Sequence, residues 1–411
     1  MNNSLPETPA LNQETAASDA PSTAVPTQAR IILHMLQKLE QGALQLSCPD
    51  GRVLHFGDDS APVRLILKSW EPFIAAIRSG DIGFAESYIA DQWQTDDLNG
   101  LLMLFIHNRD ALESAIYGSW WGSLLYRLKH LFNRNSRTGS RRNIHAHYDI
   151  GNSFYRLWLD PSMTYSSALF LDPEATLEQA QQSKYQRIHA ELNLEAGHRV
   201  LEIGCGWGGF AELAIKKGAH ITGLTLSDEQ LAFAQQRLQA AGLDKQADLR
   251  LQDYRDTEGE FDAIASIEMF EAVGEAYWDS YFACVAQRLK PGGRACIQTI
   301  TIDDALFERY RKGTDFIQQY IFPGGMLPSP SVFRAHAERH GLKVVNELAF
   351  GLDYARTLMT WHKDFLQQRP AIEALGFDGR FIRTWQFYLA YCEAGFRAGS
   401  IDLFQFTLQK T

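Results

Sequence analysis

Val200-Leu201-Glu202-Ile203-Gly204-Cys205-Gly206-Trp207-Gly208 (VLEIGCGWG) sets a glycine-rich turn directly behind an apolar run that carries a carboxylate. The run from Arg199 to Ile203 reads as a buried strand. Gly204, Gly206, Gly208 and Gly209 then form a tight loop that opens a helix at Phe210. Such a turn lets a ligand reach backbone N–H groups that a Cβ would shield. Dinucleotide enzymes use a similar turn, so glycine spacing alone does not choose the ligand. Glu202 does. A carboxylate two residues before the first glycine crowds a pyrophosphate, whereas it suits a cationic, amino-acid-bearing cofactor such as S-adenosylmethionine. No Lys-Ser or Lys-Thr follows the turn, which argues against a nucleoside triphosphate.

The next two strand tips agree with a nucleoside cofactor. His220–Leu224 reads as a second strand and runs into Thr225-Leu226-Ser227-Asp228-Glu229-Gln230. A dinucleotide site places an acidic residue at this tip to hold the ribose hydroxyls; here Thr225 and Gln230 offer a hydroxyl and an amide for the same bonds. Ser227 also fits a helix N-cap, with Asp228 and Glu229 in the first turn. After the third strand, Gln252-Asp253-Tyr254 stands where an adenine is gripped, Asp253 as acceptor and Tyr254 as a stacking wall. The cofactor set read from the strand tips is therefore Glu202, Gly204, Cys205, Gly206, Trp207, Gly208, Thr225, Leu226, Ser227, Gln230, Asp253 and Tyr254.

Around this segment the chain divides into four parts. Residues 1–28 are rich in Ser, Thr, Pro, Ala and Gln and read as a disordered tail. Residues 29–112 read as a small α+β domain: a helix carrying Ile31, Ile32, Met35, Leu36 and Leu39, a hairpin about Pro49-Asp50-Gly51, and helices near Phe73 and Leu101. Residues 113–142 have no acidic residue after Glu113. They interleave Trp120, Trp121, Tyr126 and Phe132 with bases, ending in Arg134, Arg137, Arg141 and Arg142. That pattern suits an interfacial segment on anionic lipid, and equally an interdomain linker packed on the core. Residues 143–411 alternate strand and helix, with strands expected at 199–203, 219–224, 247–251, 261–267, 292–301, 343–350 and 400–409. The expected fold is α/β: a Rossmann-like, mostly parallel methyltransferase sheet with helices on both faces, its final strand an antiparallel edge.

The global numbers fit an ordinary globular enzyme of 411 residues, 45% hydrophobic and 21% charged. A net charge of −10 speaks against nucleic acid as a partner. Five cysteines without metal-ligand spacing, no 18-residue apolar run and a polar N-terminus lead to an expected cytoplasmic location and no metal site. Oligomeric state is open, a homodimer included.

From about residue 140 onward the sequence resembles the cyclopropane-fatty-acyl-phospholipid and mycolic acid cyclopropane synthases. The resemblance is carried by His147-Tyr148-Asp149-Ile150-Gly151-Asn152 with Phe154-Tyr155, by Met163-Thr164-Tyr165-Ser166, by VLEIGCGWGG, and by GLTLS with Gln230. Phe270-Glu271, Ile321-Phe322-Pro323-Gly324-Gly325, Tyr354 with Trp361, and Cys392 before Phe396-Arg397 continue it in order. The N-terminal part is similar to the small domain of the phospholipid-acting branch. The resemblance implies methyl transfer from S-adenosylmethionine to the cis double bond of an unsaturated phospholipid acyl chain, at the inner membrane face. It adds Tyr165 and Ser166 to the cofactor set.

It also implies a bicarbonate ion that takes the final proton, held by Glu, His, Tyr and main-chain groups next to a Cys. Glu271 and Tyr354 match that set, whereas Ser167 stands at the Cys, Gln298 and Ala272 at two His, and Asp353 at a third. Gln298 donates hydrogen bonds but accepts no proton at neutral pH. Two products stay open: the cyclopropane, and a methyl-branched unsaturated chain formed by hydride shift and proton loss. Cys392 is catalytic in one reading and pocket-lining in the other. Glu268 is either a cap or salt-bridge residue or a replacement base. Two other classes compete, a soluble amine methyltransferase and a non-catalytic lipid-binding relative.

Overall fold

The computed structural model describes residues 25–110, 112 and 150–411. The tail through residue 24, the basic aromatic stretch from 113 to 142 and the His147-Tyr148-Asp149 motif lie outside the described residues.

The N-terminal part runs α1 (Thr27–Leu36), β1 (Ala43–Ser47), β2 (Val53–Gly57), β3 (Val63–Leu67), α2 (Glu71–Ile89), β4 (Trp93–Thr95) and α3 (Leu98–His107). Its sheet has the order β2-β1-β3-β4, with β1 and β3 parallel and the other pairs antiparallel. The hairpin turns at Gly51, whose φ of +84° a side chain rarely adopts. Helix α2 kinks at Ser79-Gly80, where Gly80 takes φ +60°.

The larger part continues with α4 (Asn152–Tyr155), α5 (Leu177–Glu191), β5 (Arg199–Ile203), α6 (Gly209–Lys216), β6 (His220–Thr225), α7 (Asp228–Ala240) and β7 (Ala247–Leu251). Then come β8 (Phe261–Ile267), α8 (Trp278–Arg288), β9 (Leu289–Ile302), α9 (Asp304–Tyr310), α10 (Phe316–Tyr320) and α11 (Pro330–Arg339). The chain finishes with β10 (Leu342–Ala349), α12 (Gly351–Gln367), α13 (Arg369–Ala374), α14 (Gly379–Arg397) and β11 (Ile401–Lys410). The sheet has seven strands in the order β10-β11-β9-β8-β5-β6-β7.

Strand β5 lies inside this sheet and alternates its side chains between two cores. Val200 packs with Ile188, Phe210 and Ala214 on one face, while Leu201 and Ile203 pack with Phe282, Val285 and Phe333 on the other. Helices thus cover both faces, as expected. Strand β5 pairs in parallel with β6 on one side and β8 on the other, so the strand order reverses at β5. Ligands of open α/β sheets bind outside the carboxyl ends at such a switch point.

One expectation is corrected. The last strand, β11, is antiparallel but is not an edge. It pairs with both β9 and β10. Its side chains explain the placement, since Leu403, Gln405, Phe406, Thr407 and Leu408 are all fully buried and require cover on both faces. Strands β7 and β10 form the edges instead.

The two parts share a core. Phe154 is fully buried, with its ring against those of Trp158, Phe377, Phe381 and Trp385, and the same apolar cluster reaches Ala29, Leu65, Phe84 and Trp93. Arg383 on α14 donates to the carbonyls of Tyr88 (2.6 Å) and Trp93 (3.1 Å). Trp93 is fully buried, its ring stacked on Phe84 at 4.4 Å and its Nε1 donating to Ser87 Oγ at 2.9 Å. Trp93→Ala should therefore cost about 3–5 kcal/mol. An unchanged urea midpoint would contradict this.

Candidate active site

A cavity of about 560 Å³ opens at the switch point. Its cofactor wall is built by the turn after β5. The carbonyl of Leu224, on β6, accepts from the N–H of both Gly204 (3.0 Å) and Cys205 (2.8 Å), which fastens the turn to the neighbouring strand. Gly204 and Gly206 take φ of +86° and +51°. A Cβ at Gly206 would meet no heavy atom within 4 Å, so this backbone faces open cavity. Gly208, at φ +81°, is the N-cap of α6 and packs on Ala234 behind the wall.

Glu202 is 2% exposed, and its Oε2 has no hydrogen-bond partner. Burial pushes its carboxyl well above the usual range. An unpartnered buried carboxyl on the cavity wall is a receptor for a cationic group. Thr225 Oγ1 donates to Gln230 Oε1 (2.9 Å), and both line the cavity with Leu226 and Tyr254. Ser227 stands behind them as the cap of α7, its Oγ accepting from Gln230 N. Asp253 is not among the lining residues; its carboxylate is forked onto Arg255 at 2.8 and 2.5 Å. Tyr165, Ser166, Cys205 and Trp207 complete this wall. An orphaned carboxyl, a backbone open to the cavity and paired hydroxyl and amide groups together fit S-adenosylmethionine.

The facing wall carries two further carboxyl groups. Glu268, just past β8, lines the cavity. Its Oε1 accepts from Ser167 N (2.8 Å) and Gln298 Nε2 (2.7 Å), and its Oε2 from the Tyr354 hydroxyl (2.6 Å). Ser167 and Gln298 are fully buried and lie behind Glu268, off the lining. Glu271 lines the cavity, with Oε1 accepting from Ile300 N (2.5 Å) and Oε2 unpartnered. Burial, with the neighbouring charge of Glu268 adding to it, pushes the Glu271 carboxyl up to about 8. Cys392 lines the cavity, and burial pushes its ionisation upward, which disfavours the thiolate.

Sequence reasoning missed Lys184. It is fully buried on α5, with Nζ on Ser166 Oγ (2.5 Å), and burial lowers it to about 7 while Glu268 opposes that shift. The signal was its helical spacing from buried Ala180 and Ile188, four residues to either side.

Residues 135–406 match the family model described as mycolic acid cyclopropane synthetase. The chain belongs to that family. Tuberculostearic acid methyltransferase UfaA1 of Mycobacterium tuberculosis is 39% identical over 373 residues, covering 89% of this chain and 87% of that one. The cyclopropane-fatty-acyl-phospholipid synthase of Escherichia coli is 38% identical over 352 residues, 84% and 87% of the two chains. The solved mycolic acid cyclopropane synthase CmaA1, complexed with SAH and CTAB, superposes with a TM-score of 0.62 at 32% identity, covering 66% of this chain and 98% of that one. This chain is thus an S-adenosylmethionine-dependent methyltransferase of the lipid acyl-chain-modifying family. Gly206→Val should leave the far-UV circular dichroism unchanged and abolish cofactor binding, because the new side chain enters the cofactor space. Calorimetry showing wild-type affinity would refute the assignment of this wall.

Proposed function

We propose that the protein methylates the cis double bond of unsaturated phospholipid acyl chains at a membrane surface, in the manner of a cyclopropane fatty acid synthase. The observation that carries this reading is the cavity itself. The glycine turn, Glu202 and Glu268 share one lining with Ile32, Met35, Phe73, Phe84, Leu102 and Phe105 from α1, α2 and α3. A small polar amine needs no such apolar wall; an acyl chain does.

When bound, S-adenosylmethionine supplies an electrophilic methyl group. The protein's residues hold it in line with the π bond and exclude water, because an alkene is a weak nucleophile and the carbocation formed by its attack would be hydrolysed. Tyr165, Tyr354, Tyr388 and Phe396 present aromatic rings to the cavity, which suits a developing cation. Glu268 and Glu271 are the carboxyl groups on the same lining.

The substitutions Ser167 and Gln298 favour a second reading of the product, a methyl-branched unsaturated chain. Both products add one CH2, so mass does not separate them. Proton NMR of lipids from cells expressing the protein should show upfield cyclopropane methylene signals; a retained vinylic signal with a new methyl doublet would assign the branched product instead.

Membrane contact through residues 113–142 belongs to the same reading, since no helix among the described residues is long and apolar enough to cross a bilayer. Each base near anionic lipid is worth about 1 kcal/mol. Reversing Arg134, Arg137, Arg141 and Arg142 to Glu should therefore weaken binding to anionic vesicles and flatten its salt dependence. Equal vesicle binding by the reversed protein would favour the linker reading.

A further inference from the structure

We propose that the Glu268 carboxylate replaces the bicarbonate ion that the family resemblance implies, so that the final proton is taken by a base built into the chain. The inference rests on the acyl-methylation reading. Its main observation is where the donors point. The resemblance assigns an external anion to the positions of Glu271, Tyr354, Ser167 and Gln298, with Ala272 and Asp353 at two further ones. Here the Ser167 N–H, the Gln298 amide and the Tyr354 hydroxyl all donate to Glu268, at 2.8, 2.7 and 2.6 Å. Bicarbonate does not fit this set, because a second anion would have to break three charge-assisted bonds and lie against a buried carboxylate.

The backbone supports the assignment. Glu268 has φ +50°, a left-handed conformation that favours glycine. A glutamate persists there only where surrounding contacts over-determine it. The side-chain bonds do so, together with Glu268 N–H donating to the Gln298 carbonyl at 2.8 Å.

The orientation of Gln298 is fixed from behind. Arg187, which can only donate, gives Nη1 to Gln405 Oε1 (2.5 Å), and Gln405 Nε2 gives to Gln298 Oε1 (2.9 Å). Both ends of the Gln298 amide are thereby decided, with its NH2 toward Glu268. The amide donates to the carboxylate at any pH, with no tautomer or protonation state to select.

A carboxylate offers about four acceptor sites. Three are taken at Glu268, leaving one on Oε2 in a residue that lines the cavity. Burial raises the Glu268 carboxyl above its usual range, and Lys184, Tyr354, Ser167 and Gln298 oppose that rise by favouring the ionised form, whereas Glu271 has one backbone donor and an unpartnered oxygen. The donor geometry sets the two carboxyls apart: three donors are aimed at Glu268, as an ionised carboxylate requires, and one at Glu271.

The step balances without an external ion. The alkene π pair forms the new carbon–carbon bond to the methyl, and the carbon–sulfur pair stays on sulfur. The cation forms on the other alkene carbon. A C–H proton then passes to Glu268 Oε2, and its electron pair closes the ring or, after a hydride shift, forms a new double bond. The sulfonium becomes a neutral thioether and the carboxylate a neutral acid.

The test compares wild type, Glu268→Gly and Glu268→Gln in buffer stripped of carbon dioxide, on vesicles of unsaturated phospholipid. Wild type should turn over at the same rate with and without added bicarbonate, and 13C-bicarbonate NMR should show no line broadening by the protein. Glycine accepts the φ, so Glu268→Gly should fold and bind S-adenosylmethionine. It should lose about 10²–10⁴ in rate, the usual weight of a positioned base. Added bicarbonate or formate should restore part of that rate with saturation, and bicarbonate should now broaden. Glu268→Gln should lose a similar factor and gain no rescue, since its amide fills the anion's place. Wild-type turnover that rises with bicarbonate, or a Glu268→Gly rate equal to wild type in stripped buffer, would overturn the assignment. Absence of methylated lipid in every arm, with wild type binding S-adenosylmethionine, would instead reject the substrate reading.

Discussion

The reversal of strand order at β5 is the constraint on which the site depends. Strands β5 and β8 are parallel neighbours, Glu202 beside Ala265 and Ile203 beside Ser266. Their carboxyl ends therefore open on one crevice, and the segments leaving the two strands must meet there. After β5 the chain makes the glycine turn pinned to the Leu224 carbonyl; after β8 it makes a left-handed turn at Glu268. A cofactor wall and a carboxylate wall face each other because the sheet gives those two segments nowhere else to go.

Burial sets the chemistry of that crevice. An ion taken from water into a protein interior loses several kcal/mol of hydration even after relaxation. Each charged group here must be compensated, neutralised or left waiting for a ligand. Burial raises Glu268, and three donors and Lys184 oppose that rise. Glu271 is pushed up to about 8 and is mostly a neutral acid at pH 7. Glu202 keeps an unpartnered oxygen, which a cationic ligand would pair. The same dryness that perturbs these carboxyls protects a carbocation from water.

The sheet was legible because its signals are local. An apolar run between turn residues identifies a buried strand, and the closely spaced glycines of VLEIGCGWGG mark the turn and the helix start behind it. The place of β11 was not legible, because alternation along Ile401–Lys410 marks a strand without telling an edge from an interior position. Burial of the polar Gln405 and Thr407 decided it, and that depends on partners more than a hundred residues away, at Gln298 and Cys296. In the candidate site, Glu202, Thr225, Gln230 and Tyr254 could be placed at strand tips by counting. Asp253 stands at the third tip too, but its pairing with Arg255 two residues on is a contact that counting along the chain does not reveal. Ser167 and Gln298 were read as gaps in an ion site; only geometry shows that both point at Glu268, which joins three chain segments that no sequence spacing relates.

The N-terminal part extends the argument from chemistry to substrate. The family match begins at residue 135, and the solved synthase covers 66% of the chain. Yet the cavity that holds Glu202 and Glu268 is also lined by Ile32, Phe73, Phe84 and Leu102. Those residues sit on α1, α2 and α3, which share one continuous apolar core with α12 and α14. Shape and polarity of the apolar wall are therefore set partly by chain that lies outside the matched segment. In the proposed reaction, methyl transfer would draw on the sheet and its two turns, and the length and depth of chain admitted on helices that the sheet does not specify. The two properties can change independently, because the donors around Glu268 all come from residues 167, 298 and 354 and none from the N-terminal helices.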